Sequence, residues 1–141
     1  MEKLVFDGKE AVFGRLASET AKNLLKGNSV DIINVEEIII SGDKYAFVEK
    51  ILQKRRMGRG SSLKGPRYSK LPDKMVRRMI RGMLPWDRPK GRDAYKRLKC
   101  YVGNGKLSEN ELKNVKNLAG ERRPMRYFSI KEVTRGLQWI T

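Results

Sequence analysis

Apolar positions recur along this chain with two periods, and the change from one to the other marks its elements. Leu4, Val5 and Phe6 form a short apolar run that stops at Asp7-Gly8. This predicts a strand over residues 4–8 that ends in a turn. Across residues 11–28 the apolar residues Leu16, Ala17, Ala21, Leu24 and Leu25 return at helical spacing, and Gly27 supplies a stop. Residues 30–40 are β-branched and almost continuously apolar, interrupted by Glu36 and Glu37 at a turn. Such a run is too apolar for a strand wetted on one face, so it predicts one or two strands buried on both sides. Strand, helix and strand at this spacing make a βαβ unit with a parallel sheet.

Ser41-Gly42-Asp43 opens a second helix that runs to about Arg56, with Tyr45, Phe47, Val48, Ile51 and Leu52 on its inward side. Residues 57–73 are one long irregular stretch containing Gly58, Gly60, Gly65, Pro66 and Pro72. A loop of this length in a small domain is usually functional or disordered. After Asp73, two interleaved series (Met75, Met79, Met83 and Val76, Ile80, Leu84) repeat every four residues and form one apolar stripe of a third helix. Its methionines read as core, and Pro85 ends it. Residues 92–98 predict a short helix feeding a strand over 99–102, with a turn at Gly103-Asn104-Gly105. Ser108 and Glu111 carry a capping-box signature for a helix over residues 108–118, stopped by Gly120. Residues 126–130 predict a last strand. Ser129 and Glu132 then cap a terminal helix ending near Trp139, with Val133, Leu137 and Ile140 inward.

Charge changes the picture. Residues 54–99 hold 17 Lys and Arg against 3 Asp, a formal +14 of the chain's +16. The remainder is nearly neutral. A continuous basic segment flanked by ordinary globular sequence is what a polyanion-binding surface needs, because each neutralised phosphate releases condensed counterions. Lys54, Arg55 and Arg56 end the second helix, where they suit both its negative C-terminus and a phosphate. The irregular stretch adds Arg59, Lys64, Arg67, Tyr68 and Lys70. Its glycines let backbone approach phosphates, and Tyr68 can stack on a base or sugar. Arg77, Arg78 and Arg81 have no acid on their own turns of the third helix, so they look outward for something negative. Trp86 is a packed corner or a stacking platform. Arg88, Lys90, Arg92, Lys96 and Arg97 continue the basic series.

The 141 residues are a single-domain length, read as one RNA-binding domain over 1–141 that needs no disulfide or metal to hold its core. There is one cysteine and no histidine. Cys100, in an apolar run, reads as a small buried hydrophobe, and a lone cysteine fits a reducing compartment. No glycine-rich loop ends in Gly-Lys-Ser/Thr, and Gly58-Arg59-Gly60 lacks the third glycine of a dinucleotide fingerprint. Asp73, Asp87 and Asp93 read as helix-start or turn residues. Glu36 and Glu37, adjacent on a strand end, would face opposite ways. The expectation is no catalytic residue, no metal, no cofactor and no small-molecule substrate. No secretory h-region opens the chain and no run approaches the roughly 20 apolar residues of a membrane span, so no membrane partner is expected. Two rival classes are weaker. A DNA or chromatin binder lacks a helix-turn-helix, zinc or zipper signature, and an RNA-modifying enzyme lacks a catalytic group.

Four separated motifs then stand in register: Asp7-Gly8 with FGRLAS at residues 13–18, ISG at 40–42, RGMLPW at 81–86 and RLKCYVG at 97–103. They resemble the ribosomal protein L-thirteen family of the large ribosomal subunit over about residues 1–103. KGPRY at 64–68 and the short length resemble its archaeal type. The resemblance implies an α/β fold, a three-layer α/β/α domain around a mostly parallel four-stranded central sheet, with the basic loop-helix segment attached. It also implies a cytoplasmic structural constituent of the large subunit that binds large-subunit rRNA early in assembly, beside neighbouring large-subunit ribosomal proteins. It adds Arg15, in FGRLAS, as an RNA contact, since a cation in the first turn opposes the helix dipole and needs a reason. The last forty or so residues match the family only loosely.

Overall fold

The structure, a computed structural model, describes residues 1–58, 65–105, 107–120 and 122–138. Strand β1 (Lys3–Asp7) has neighbours on both sides. It runs parallel to β2 (Ser29–Ile33), with Leu4 opposite Val30 and Phe6 opposite Ile32. On its other edge it runs parallel to β5 (Val115–Asn117), with Val5 opposite Val115. Strand β4 (Leu98–Cys100) extends the sheet beyond β2, giving the order β4-β2-β1-β5 with every pairing parallel.

Period-two alternation divides these strands between two faces. Leu4, Phe6, Val30, Ile32 and Leu98 form one face and join a single core with Leu16, Ala17, Ala21 and Leu24 of α1 (Phe13–Leu25). The same core takes Ile51 of α2 (Lys44–Arg56) and Met75, Val76 and Ile80 of α3 (Pro72–Arg81). Ala94 of α4 (Pro89–Lys96) and Ile130, Val133 and Leu137 of α6 (Ile130–Gln138) complete it. On the opposite face Val5, Asp31 and Ile33 are buried. There the Lys3 ammonium lies 3.3 Å from the Asp31 carboxylate and also pairs with Glu111 of the short helix α5 (Glu109–Lys113). The four-stranded parallel sheet is thus as expected, with the core helices gathered on one face and α5 reaching the other through this ion pair.

Residues 30–40 divide into β2, a 3-10 turn (Val35–Glu37) and β3 (Ile39–Ser41). Asn34, in the left-handed region at φ 51°, makes the break. Glu36 and Glu37 lie on the turn rather than at a strand end. Glu36 accepts a hydrogen bond from Gly103 N–H at 2.9 Å, which ties the turn after β2 to the turn after β4. Strand β3 leaves the main sheet and pairs antiparallel with β6 (Tyr127–Ser129) in a second, two-stranded sheet. Gly8, the glycine of the first motif, is fixed by space. A Cβ there would stand 2.8 Å from both Ile33 O and Ile38 Cγ1, so the chain can turn this close to β2 only without a side chain.

Several boundaries depart from expectation. The helix expected over residues 108–118 ends at Lys113, and Val115–Asn117 is the fourth strand. The free edge of β1 claims those three residues, and tertiary pairing outweighs a weak local helix preference. The helix expected to start at Arg92 starts at Pro89, whose fixed φ suits a first helical position. Its strand begins at Leu98 rather than Lys99. Helix α3 ends at Arg81, so Met83 lies past the stripe and is 42% exposed rather than core. Trp139 and Ile140, expected at the end of the last helix, lie outside the described residues.

Candidate nucleic-acid interface

Helix α3 carries the centre of the basic segment. Pro72 starts it, Asp73 sits in its first turn, and Met75, Val76 and Ile80 anchor it to the core. With that stripe turned inward, Arg77, Arg78 and Arg81 emerge half-buried beside it. Each guanidinium rests on an aromatic ring. Arg78 lies 4.0 Å from the centroid of Tyr68, Arg77 lies 4.6 Å from Tyr95, and Arg81 lies 4.8 Å from Trp86. Trp86 and Tyr95 meet edge to face, with centroids 5.2 Å apart and planes at 88°. Lys54, from the last turn of α2, approaches the Tyr68 ring at 5.5 Å. The result is a ladder of two stacks, Lys54–Tyr68–Arg78 and Arg77–Tyr95–Trp86–Arg81, whose arginines all come from α3.

Local sequence explains how the rungs are set. Gly58 has φ +119°, and a Cβ on it would be 3.5 Å from Gly65 Cα. The two glycines thus pinch together the ends of the stretch before Arg67, whose carbonyl accepts a hydrogen bond from Arg78. Farther along, Pro85 turns the chain after α3, and α4 packs so close that a Cβ on Gly91 would fall 2.0 Å from Pro85 O. That approach seats Trp86 on Tyr95.

The ladder is poor in acid. Within residues 54–99, Lys96–Asp93 at 3.3 Å is the one ion pair among the described residues. It is exposed and contributes about 0–1 kcal/mol. Stacking on rings is worth about 0.5–1 kcal/mol per exposed pair. It fixes the guanidinium planes without neutralising them, so their charge stays available to an anion.

The sequence-predicted residues divide into groups. Lys54, Tyr68, Arg77, Arg78, Arg81 and Trp86 are brought together in the ladder, with Arg67 joined to it through its carbonyl. Lys70 is half-buried in the turn before α3, and Arg55 and Arg56 are exposed at the end of α2. Arg88, Lys90, Arg92 and Lys96 are exposed along α4, where Arg92 donates to the Asp87 carbonyl at 3.1 Å. Arg59 and Lys64 lie outside the described residues. Two residues sit elsewhere. Arg97 donates to the Leu24 carbonyl at 2.8 Å, at the C-terminal end of α1. Arg15 sits nine residues earlier on α1, about 14 Å away along the helix axis. Its guanidinium lies so close to Gly120 that a Cβ there would fall 2.2 Å from one of its nitrogens.

The strand order reverses between β1 and β5, the switch point at which open parallel sheets commonly bind ligands. Here Arg15, exposed in the first turn of the helix after β1, reaches the backbone that follows β5. Tyr95 is the functional candidate that sequence reasoning missed. It stands 18 residues from its cation on another helix, and only its place in a basic segment could have pointed to it.

The first 107 residues match the family model described as Ribosomal protein L13. A protein of Methanopyrus kandleri named large ribosomal subunit protein uL13 is 47% identical over 108 residues, covering 77% of this chain and 67% of that protein. Proteins of the same name from Archaeoglobus fulgidus and Methanocaldococcus jannaschii are 37% and 36% identical over 136 residues. Each alignment covers 94% of this chain, with 86% and 96% of the respective relative.

Proposed function

This chain belongs to the ribosomal protein L13 family, and we propose that it is a structural constituent of the large ribosomal subunit that binds large-subunit rRNA and supports early subunit assembly. The relatives' shared name refers to the large subunit and to no catalytic activity. The observation that carries the RNA reading is the ladder. Arg77, Arg78 and Arg81 are each braced on a ring and none forms an ion pair among the described residues. Bracing limits the side-chain freedom that phosphate binding would remove. The sheet and α1 hold α3 and α4, and α6 packs on α2, so the scaffold positions the elements that carry the charges of this surface. Such a surface reads the shape and backbone of folded RNA rather than base sequence, because an A-form groove admits side chains poorly. The exposed cations of α2 and α4 would extend the phosphate contacts, and neighbouring large-subunit proteins would meet the rest of the surface in the cytoplasmic particle.

The test replaces Arg77 and Arg78 with alanine together and measures binding to large-subunit rRNA over a salt series. The reading expects weaker binding and a salt dependence shallower by roughly one unit of slope per lost phosphate contact, with an unchanged circular dichroism spectrum. A variant that melts earlier but binds with wild-type affinity and slope would overturn it.

A further inference from the structure

Between α2 and α3 lies a groove of about 390 Å³. Its floor is apolar, made by Phe47, Ile51, Met75 and Met79, and Tyr68 stands half-buried at its wall. Its rim carries Lys50, Lys54, Arg78 and Arg81, and no carboxylate lines it among the described residues. An apolar floor under four cations suits an occupant with a flat hydrophobic body and a negative edge. An acidic helix of a partner protein has that chemistry too, but the groove shares Tyr68, Arg78 and Arg81 with the braced basic face read above as the RNA surface, which favours a nucleotide. The volume of the groove falls within the ordinary range of small-ligand pockets, the size class of a base with its sugar. We infer that this groove receives one unstacked nucleotide of the bound RNA, its base over Met79 and beside Tyr68, its flanking phosphates on Arg78, Arg81 and Lys54. The inference rests on the RNA reading above and deepens it. The ladder would hold backbone, while the groove selects RNA able to extrude a base, as single-stranded loops and bulges do.

The full chain bound to large-subunit rRNA is irradiated with ultraviolet light, and crosslinked peptides are mapped by mass spectrometry. A Met79→Trp variant, which fills the floor without changing charge, is compared by affinity over a salt series. The expected result is a nucleotide adduct on Tyr68 or Phe47 in the wild type. The variant is expected to bind about tenfold more weakly, with an unchanged salt slope and without that adduct. Wild-type binding with adducts only outside the groove would overturn the inference whether or not the variant folds, and would leave the groove to a protein partner. So would a folded Met79→Trp variant of wild-type affinity. Both results leave rRNA binding itself standing. Failure of the RNA reading looks different, because the wild type would then show no preference for rRNA at all.

Discussion

The guanidinium of Arg97 donates to the backbone carbonyl of Leu24, 73 residues away, at 2.8 Å. Arg97 directly precedes β4 and Leu24 lies in the last turn of α1, so a cation from the basic segment adds a charged donor to a helix end that the Gly27 N–H already meets. Hydrogen bonds from charged donors contribute about 1.5–3 kcal/mol, and a cation at a helix C-terminus adds to this. Arg97→Ala is therefore expected to lower stability by about 1–3 kcal/mol in urea titration. Arg92→Ala, exposed on α4, should stay within about 0.5 kcal/mol of the wild type. Equal midpoints for Arg97→Ala and the wild type would show that the bond carries no weight.

Gly91 controls the aromatic corner. A methyl group there would collide with the Pro85 carbonyl, which is backbone and cannot swing aside. Overpacking of this kind costs about 1–3 kcal/mol. Gly91→Ala should lower the melting temperature and change the Trp86 emission, read in a Trp139→Phe background, because the Trp86–Tyr95 contact opens. Unchanged emission and melting would mean that α4 can shift freely.

Acid should expose the role of α5. The Lys3 ammonium, helped by Ser108, holds the Glu111 carboxyl down at about 2, against an ordinary value near 4.5. A group depressed on folding contributes stability above its unfolded value and loses it as pH falls toward its folded one. Glu111→Gln should therefore melt below the wild type at pH 7. The gap should narrow between pH 4.5 and 2 and close below that. A gap independent of pH would point to packing rather than charge.

Cys100, half-buried rather than buried as its apolar run suggested, should still react slowly. Burial pushes its thiol up to about 12, although the nearby Arg77 pulls the other way. The thiolate is the reactive form, and at pH 8 it would be about one part in 10⁴ by the same relation. Native protein should resist alkylation and react promptly once unfolded. Rapid stoichiometric labelling of the native chain would contradict this.

What could be read in advance follows the range of the interactions. The β1–α1–β2 unit was legible because Leu4–Phe6, the stripe through Leu24 and the run from Val30 each declare their period within a few residues. Strand β5 was not, because Val-Lys-Asn has no strand pattern of its own and becomes one only beside Val5. The arginines of α3 were legible as cations of a helix whose one acid is Asp73 in its first turn. Their ring partners were not, apart from Tyr68 and Trp86 as candidates, since Tyr95 reaches Arg77 only after α3 and α4 pack. Arg97 read as one more basic residue because nothing local reveals a carbonyl from α1.

The most direct measurement of the central claim is competition. Labelled large-subunit rRNA bound to the full chain is challenged, across a salt series, with bulk tRNA and with duplex DNA. If the braced ladder and its scaffold recognise folded rRNA, the complex survives a large excess of both at physiological salt. If all three compete equally and binding fades together as salt rises, the basic face is a nonspecific polyanion surface and the claim fails.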